Sequence, residues 1–212
     1  MRITDVKGHI LQSKLEQPFA FSQGWVRVRS ATIVEIHTDA GLIGWGEAFT
    51  QGLESPQIAA STIEYSLKPL VLGENPKNVE VLWHSMYNQT RDFGRKGSVM
   101  AAISGIDIAV WDILGKFYQV PVSQLIGGRF RASVQPYATG FYRVTGENEG
   151  DRLAEEAIAH NDAGFKAMKI KLGFGVNDDI KVMRQIGRAI EGRDVELMVD
   201  TNHAYGRTEA LR

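Results

Sequence analysis

From residue 133 onward the chain keeps one rhythm, a short apolar run followed by a longer amphipathic stretch, then another short run. Residues 133–137, 165–172 and 195–199 read as strands, and residues 151–163 and 177–190 as helices. Gly164 is placed to cap the first of these helices. Strands joined by helices lie parallel, because the connection must carry the chain back to the same end of the sheet. Two architectures satisfy this order: an open doubly wound sheet or part of a barrel.

The first 125 residues are built differently. Residues 3–15 alternate weakly, Val26, Val28, Ile33, Val34 and Ile36 form a β-branched run, and Asp39-Ala40-Gly41 is a turn signal before a return strand at 42–48. A three-stranded antiparallel meander is expected. Ser55-Pro56 then offers a capping hydroxyl and a proline at the first helical position. Helical spacing continues over about 55–70, 77–89 and 96–117, the last rich in Ala and Gly. The expected organisation is an α+β domain over 1–125 and an α/β domain over 126–212.

Composition narrows the function classes. Twenty-four basic residues against 25 acidic ones give a net charge of −1, too balanced for a nucleic-acid or anionic-membrane binder, so neither partner is expected. With no cysteine there is no disulfide frame, thiolate nucleophile or zinc-thiolate site. No stretch reads as the ~20 apolar residues of a membrane helix, and the first 14 residues lack a signal-type apolar core. A cytoplasmic location is expected.

In parallel folds functional groups gather at the C-terminal ends of strands. Lys169-Ile170-Lys171 ends the second of these strands, and alternation puts both ammonium groups on one face. Like charges side by side favour the neutral amine, and a neutral lysine is a usable general base; a strand that stops early, with both lysines solvated, is the plainer alternative. Asp200 closes the third strand with Asn202 two positions on, and a carboxylate there suits a hard cation such as Mg²⁺, although Asp also serves in turns. A basic pair beside an acidic metal candidate fits proton abstraction next to a carboxylate.

Other motifs are weaker. Gly173-Phe174-Gly175 follows a strand and opens a helix, but the third glycine of a dinucleotide fingerprint is missing and Asp178 would repel a pyrophosphate. His9, His37, His84 and His160 show no metal-ligand spacing, while His203 sits beside Asn202 in one loop.

The segment Ala102-Ile-Ser-Gly-Ile-Asp107-Ile-Ala-Val-Trp-Asp112-Ile-Leu-Gly-Lys116, followed by Pro121-Val-Ser-Gln-Leu-Ile-Gly-Gly128, resembles the helix signature of the mandelate racemase/muconate lactonizing enzymes of the enolase superfamily. Gly44-Trp-Gly-Glu47, the lysine pair and Val199-Asp200-Thr-Asn202 fall where that family has its own versions. The resemblance implies an α+β N-terminal capping domain followed by the start of an enolase/TIM-type (β/α) barrel. It implies Lys171 as the base, Lys169 as the neighbour that tunes it, Asp200 as a ligand of Mg²⁺, and Asn202, His203 and Trp25 as substrate-binding residues. Loops 18–25 and 49–55 match the family's specificity loops, with Gln23, Gln51 and Arg143 as polar groups near the mouth.

Tyr137-Ala-Thr-Gly140 and Asp200-Thr-Asn-His203 are similar to the sugar-lactone cycloisomerases and acid-sugar dehydratases of the family. The implied partner is therefore a small carboxylate, an acid sugar or its lactone, acted on by dehydration or cycloisomerisation; a homo-oligomer is also expected. A racemase or epimerase using the same lysine stays open. Only 82 residues follow residue 130, about a third of a ~250-residue barrel. The family's further acidic ligands have no counterpart before Arg212, so a chain of this length reads as the N-terminal part of a longer enzyme or as a non-catalytic fragment.

Overall fold

The computed structural model describes residues 1–50, 52–146 and 149–212, which divide into two compact units. One comprises Met1–Lys14 and Val28–Ala132; the other comprises Leu15–Arg27 and Ser133–Arg212.

The first unit begins with three strands, β1 (Ile3–Phe21), β2 (Gly24–Thr38) and β3 (Ile43–Ala48), in the order β3-β2-β1. β1 and β2 are longer than their apolar runs suggested, and their distal ends belong to the second unit. β2 and β3 pair antiparallel from Thr32↔Ala48 to His37↔Ile43. Gly41, with φ 74°, makes the turn between them. Helices α1 (Pro56–Thr62), α2 (Lys68–Val71), α3 (Val79–Gly94), α4 (Ser98–Tyr118) and α5 (Val122–Leu125) follow, and a π-helical turn, Ile63–Leu67, joins α1 to α2. Pro69 lies just beyond that turn and has no N–H for the preceding helical carbonyls, a known reason for a helix to lose its register. The hydroxyl of Ser55 does not cap α1; it donates to Gln57 instead.

α4 is the centre of this unit. Its Ile103, Ile106, Ala109, Val110 and Ile113 are fully buried with Val34, Ile36, Ile63, Leu67 and Met86. A Cβ on Gly44 would lie 2.1 Å from the Ala109 carbonyl, and one on Gly46 would lie 2.0 Å from that of Gly105. The strand backbone therefore rests directly on the helix, which only glycine permits. Asp112 accepts from the Trp45 N–H at 2.8 Å and from Lys116 Nζ at 2.6 Å, and Lys116 also donates to the Ile43 carbonyl at 2.7 Å. Two polar residues of the signature thus fasten α4 to β3. Contrary to the sequence reading, α4 is long and apolar enough to cross a bilayer by length and composition, with a mean hydropathy of 1.5. Half of that window is buried inside the protein, and packing against β3 accounts for the apolarity.

The second unit has a parallel sheet in the order β4-β6-β7, formed by β4 (Ala138–Thr139), β6 (Ala167–Lys171) and β7 (Glu196–Asp200). Before β6 come β5 (Arg143–Val144) and α6 (Glu149–Asp162); α7 (Val176–Ala189) joins β6 to β7, and α8 (Arg207–Ala210) follows. β5 pairs antiparallel with the outer end of β1 through Phe19↔Val144 and Ala20↔Arg143. The expected strand at 133–137 is not formed; the ladder starts at Ala138↔Met168. Pro136 cannot donate to a ladder, which fits a strand that begins only beyond it. Met168 and Ile170 point into a core with Phe141, Leu153, Ala157 and Ile186, so alternation sends Lys169 and Lys171 to the opposite face.

Candidate active site

β6 and β7 are in register with Lys171 opposite Asp200. Both side chains leave adjoining strand ends on the same face, and Lys171 Nζ donates to Asp200 Oδ2 at 2.6 Å and to Asn202 Oδ1 at 3.0 Å. Lys169 Nζ is 3.6 Å from the same carboxylate oxygen. The strand does not end early: the Lys171 side chain is 9% exposed and that of Lys169 26%. The other oxygen, Asp200 Oδ1, accepts the Asn202 N–H at 3.0 Å, closing a local turn. The Lys171 hydrogen bond, helped by the Asn202 N–H and by Lys169, holds the Asp200 carboxyl below its ordinary range against the opposing effect of burial.

The loop after β7 is shaped by backbone that favours glycine but carries side chains: Asn202 has φ 48° and His203 φ 66°. It is held from the 15–27 segment, where Ser22 Oγ donates to the Thr201 carbonyl at 2.7 Å and Gln23 Nε2 to the Asn202 carbonyl at 2.6 Å. Of the residues singled out from sequence, Lys169, Lys171, Asp200 and Asn202 form one cluster. His203 is exposed in the same loop. Trp25 is 39% exposed at the start of β2, and no hydrogen bond or ring contact among the described residues joins it to the cluster. Gln51 lies outside the described residues.

Arg143 is engaged elsewhere. It pairs with Glu149 through Nε at 2.9 Å and with Asp178, and it lies 3.8 Å from the centre of the Phe174 ring. Burial pushes the Glu149 carboxyl above its ordinary range despite Arg143 and Arg152.

Asp179 escaped the sequence reading although it occupies the first turn of α7 just after Gly175. It is 5% exposed and accepts the N–H groups of Gly173 at 2.7 Å and Phe174 at 3.2 Å, together with the Tyr205 hydroxyl. Burial and that bond push the Tyr205 phenol up to about 12. Two scattered histidines also meet: His9 and His37 each place Nε2 2.6 Å from one oxygen of Glu35. The hydrogen bond from His9 leads in keeping the Glu35 carboxyl below its ordinary range. An apolar cavity of about 410 Å³ lined by Leu172, Ile180, Met183 and Tyr205 does not include the lysines.

Mg²⁺ takes about six oxygen ligands in octahedral geometry. Asp200 offers one carboxylate and Asn202 one amide oxygen, and no group of three His, Asp or Glu side chains among the described residues could hold a metal ion. The residues present are part of a ligand set and do not complete one.

A unit whose glycine-bearing strand rests on an apolar helix, and a parallel sheet that ends in a lysine pair against an aspartate, define an enolase-superfamily protein. Residues 5–127 match the mandelate racemase/muconate lactonizing enzyme N-terminal domain, and residues 152–212 match the enolase C-terminal domain-like family. The chain belongs to the mandelate racemase/muconate lactonizing enzyme family, whose named relatives are enzymes. It is 39% identical over 211 residues to a D-galactarolactone cycloisomerase from Agrobacterium fabrum, covering all of this chain and 54% of that protein. It is 40% identical over 179 residues to an arabinonate dehydratase from Saccharolobus solfataricus, covering 84% of this chain and 46% of the other. A dipeptide epimerase from Enterococcus faecalis V583, solved with Mg and the dipeptide L-Leu-L-Tyr, superposes with a TM-score of 0.83 at 30% identity, covering 99% of this chain and 56% of that one. The chain spans about half the length of the curated relatives it matches.

Proposed function

We propose that the protein acts on an acid sugar or its lactone by removing the proton α to the carboxylate, with dehydration or cycloisomerisation as the outcome. The observation that carries this reading is the placement of Lys171 Nζ, nearly buried, between Asp200 Oδ2 and Asn202 Oδ1 at adjoining strand ends. As the free amine, Lys171 takes the α-proton: the C–H bond breaks, an N–H bond forms, and the electron pair passes into the carboxylate as an enediolate. Lys169 adds positive charge on the face where the substrate carboxylate gathers electron density. Asn202 holds the amine through its side-chain oxygen. Bound Mg²⁺ would supply Lewis-acid stabilisation of the enediolate oxygens, with Asp200 as one ligand and the others drawn from outside these residues. The cycloisomerase and dehydratase relatives support the sugar class, and the epimerase likeness favours epimerisation as the second reading.

The test is exchange of the substrate α-proton with solvent deuterium, measured on the protein as its gene encodes it, with Mg²⁺ and a panel of acid sugars. Lys171→Ala is expected to abolish exchange in a protein whose far-UV circular dichroism still shows the fold, at a lower melting temperature because Asp200 loses its hydrogen-bond partner. Exchange that persists in that variant overturns the assignment of the base. Retention of the carbon skeleton with inverted configuration selects the epimerase reading.

A further inference from the structure

We propose that Tyr142 is a substrate-binding residue whose ring is the apolar platform for the carbon chain of the substrate beside Lys171. The inference rests on the reading of Lys171 as the base and adds a contact that this reading does not contain.

Three observations converge on this ring. Lys171 Nζ lies 5.8 Å from its centre, so a carbon placed between the two is within reach of both the amine and the ring. The ring packs against Phe19, with centroids 4.4 Å apart and planes tilted by 48°, which holds it in place. Its backbone is fixed on both sides: Arg152 donates to the Tyr142 carbonyl at 2.5 Å, and Glu156 Oε1 accepts the Phe141 N–H at 2.9 Å.

The third of these is reinforced by the backbone itself. Phe141 has φ 57° with its side chain fully buried. A bulky residue held there costs roughly 1–3 kcal/mol and persists only where the surroundings over-determine it. Here the surroundings are the core below Phe141 and the two bonds to α6, and their product is the direction of Tyr142. Tyr142 is itself only half-buried. Small-molecule sites commonly pair such aromatic walls with a few charged groups that fix orientation; here Lys169 would draw the carboxylate while the ring takes the C–H face of the chain.

Tyr142→Phe and Tyr142→Leu, made in the protein as its gene encodes it, test the inference with Mg²⁺ and an acid sugar that the unaltered enzyme turns over. A platform acts on the bound ground state as well as the transition state, so Tyr142→Leu should raise KM about tenfold with a smaller change in kcat, while Tyr142→Phe stays within about twofold. An unchanged KM in Tyr142→Leu overturns the inference. So does a loss in Tyr142→Phe as large as in Tyr142→Leu, since the hydroxyl would then be the acting group. Tyr142→Met carries the same reading if the leucine variant does not fold. Lys171→Ala separates the two ideas: exchange that persists there defeats the base assignment, whereas exchange lost there with KM unmoved by Tyr142→Leu defeats the platform alone.

Discussion

The hydroxyl of Tyr205 donates to the carboxylate of Asp179, and through that bond the loop leaving β7 is held to the loop leaving β6. Tyr205 also accepts the Gly175 N–H at 3.1 Å. Lys171 and Asp200 stand at the roots of these two loops, so a pair of residues that touches neither of them adds a tie beyond the β6–β7 ladder that sets them opposite each other.

Asp179→Ala should leave the N–H groups of Gly173 and Phe174 without their acceptor. Hydrogen bonds to a charged group are worth about 1.5–3 kcal/mol each in favourable cases, and losses within one network are not additive. A destabilisation of about 2–3 kcal/mol is expected from urea unfolding.

The phenol of Tyr205 sets a pH dependence of known sign. Its value is raised from 10.0 to about 12 in the folded chain, so the folded state holds the proton more tightly than the unfolded one. The stabilisation is fully present below pH 10 and is lost as pH rises from about 10 to about 12. Urea midpoints across this alkaline range should fall more steeply for the unaltered protein than for Tyr205→Phe.

Glu35 gives the opposite limb. With its carboxyl held below the ordinary 4.5 by His9 and His37, its contribution is present above that value and is lost as pH falls through the folded value. Thermal melts between about pH 3 and pH 6 should show a shallower acid decline in Glu35→Gln than in the unaltered protein.

Two glycines should respond to alanine with opposite signs. Gly46→Ala would place a methyl 2.0 Å from the Gly105 carbonyl and force β3 off α4, at a cost of about 1–3 kcal/mol or more. Gly187 lies inside α7 with nothing within 4 Å of its added Cβ, so Gly187→Ala should stabilise by about 0.5–1 kcal/mol. Denaturant unfolding of the two variants decides both.

What the sequence made legible was local. Alternation over Ala167–Lys171 and the carboxylate closing Glu196–Asp200 placed the lysine pair and Asp200 at strand ends, because a period of two determines a face. Contacts across the fold left no such trace. His9 and Glu35 are 26 positions apart and meet only through strand pairing, and Asp179 reaches Tyr205 across 26 positions by way of two loops. Arg143 reads as a mouth residue by charge, yet its guanidinium is held by Glu149, Asp178 and the Phe174 ring. The apolar length of α4 reflects a helix pressed against strand backbone, a distinction composition does not make.

For anyone wishing to make this protein sturdier, the left-handed backbone at residues 202 and 203 is an obvious place to begin, since glycine adopts it without penalty. The two positions are not equivalent. His203→Gly would relax an exposed turn at the cost of one side chain, whereas Asn202→Gly would also delete the oxygen 3.0 Å from Lys171 Nζ. At 202 the conformation that burdens the fold and the group that holds the amine belong to the same residue, so resilience gained there is subtracted from chemistry.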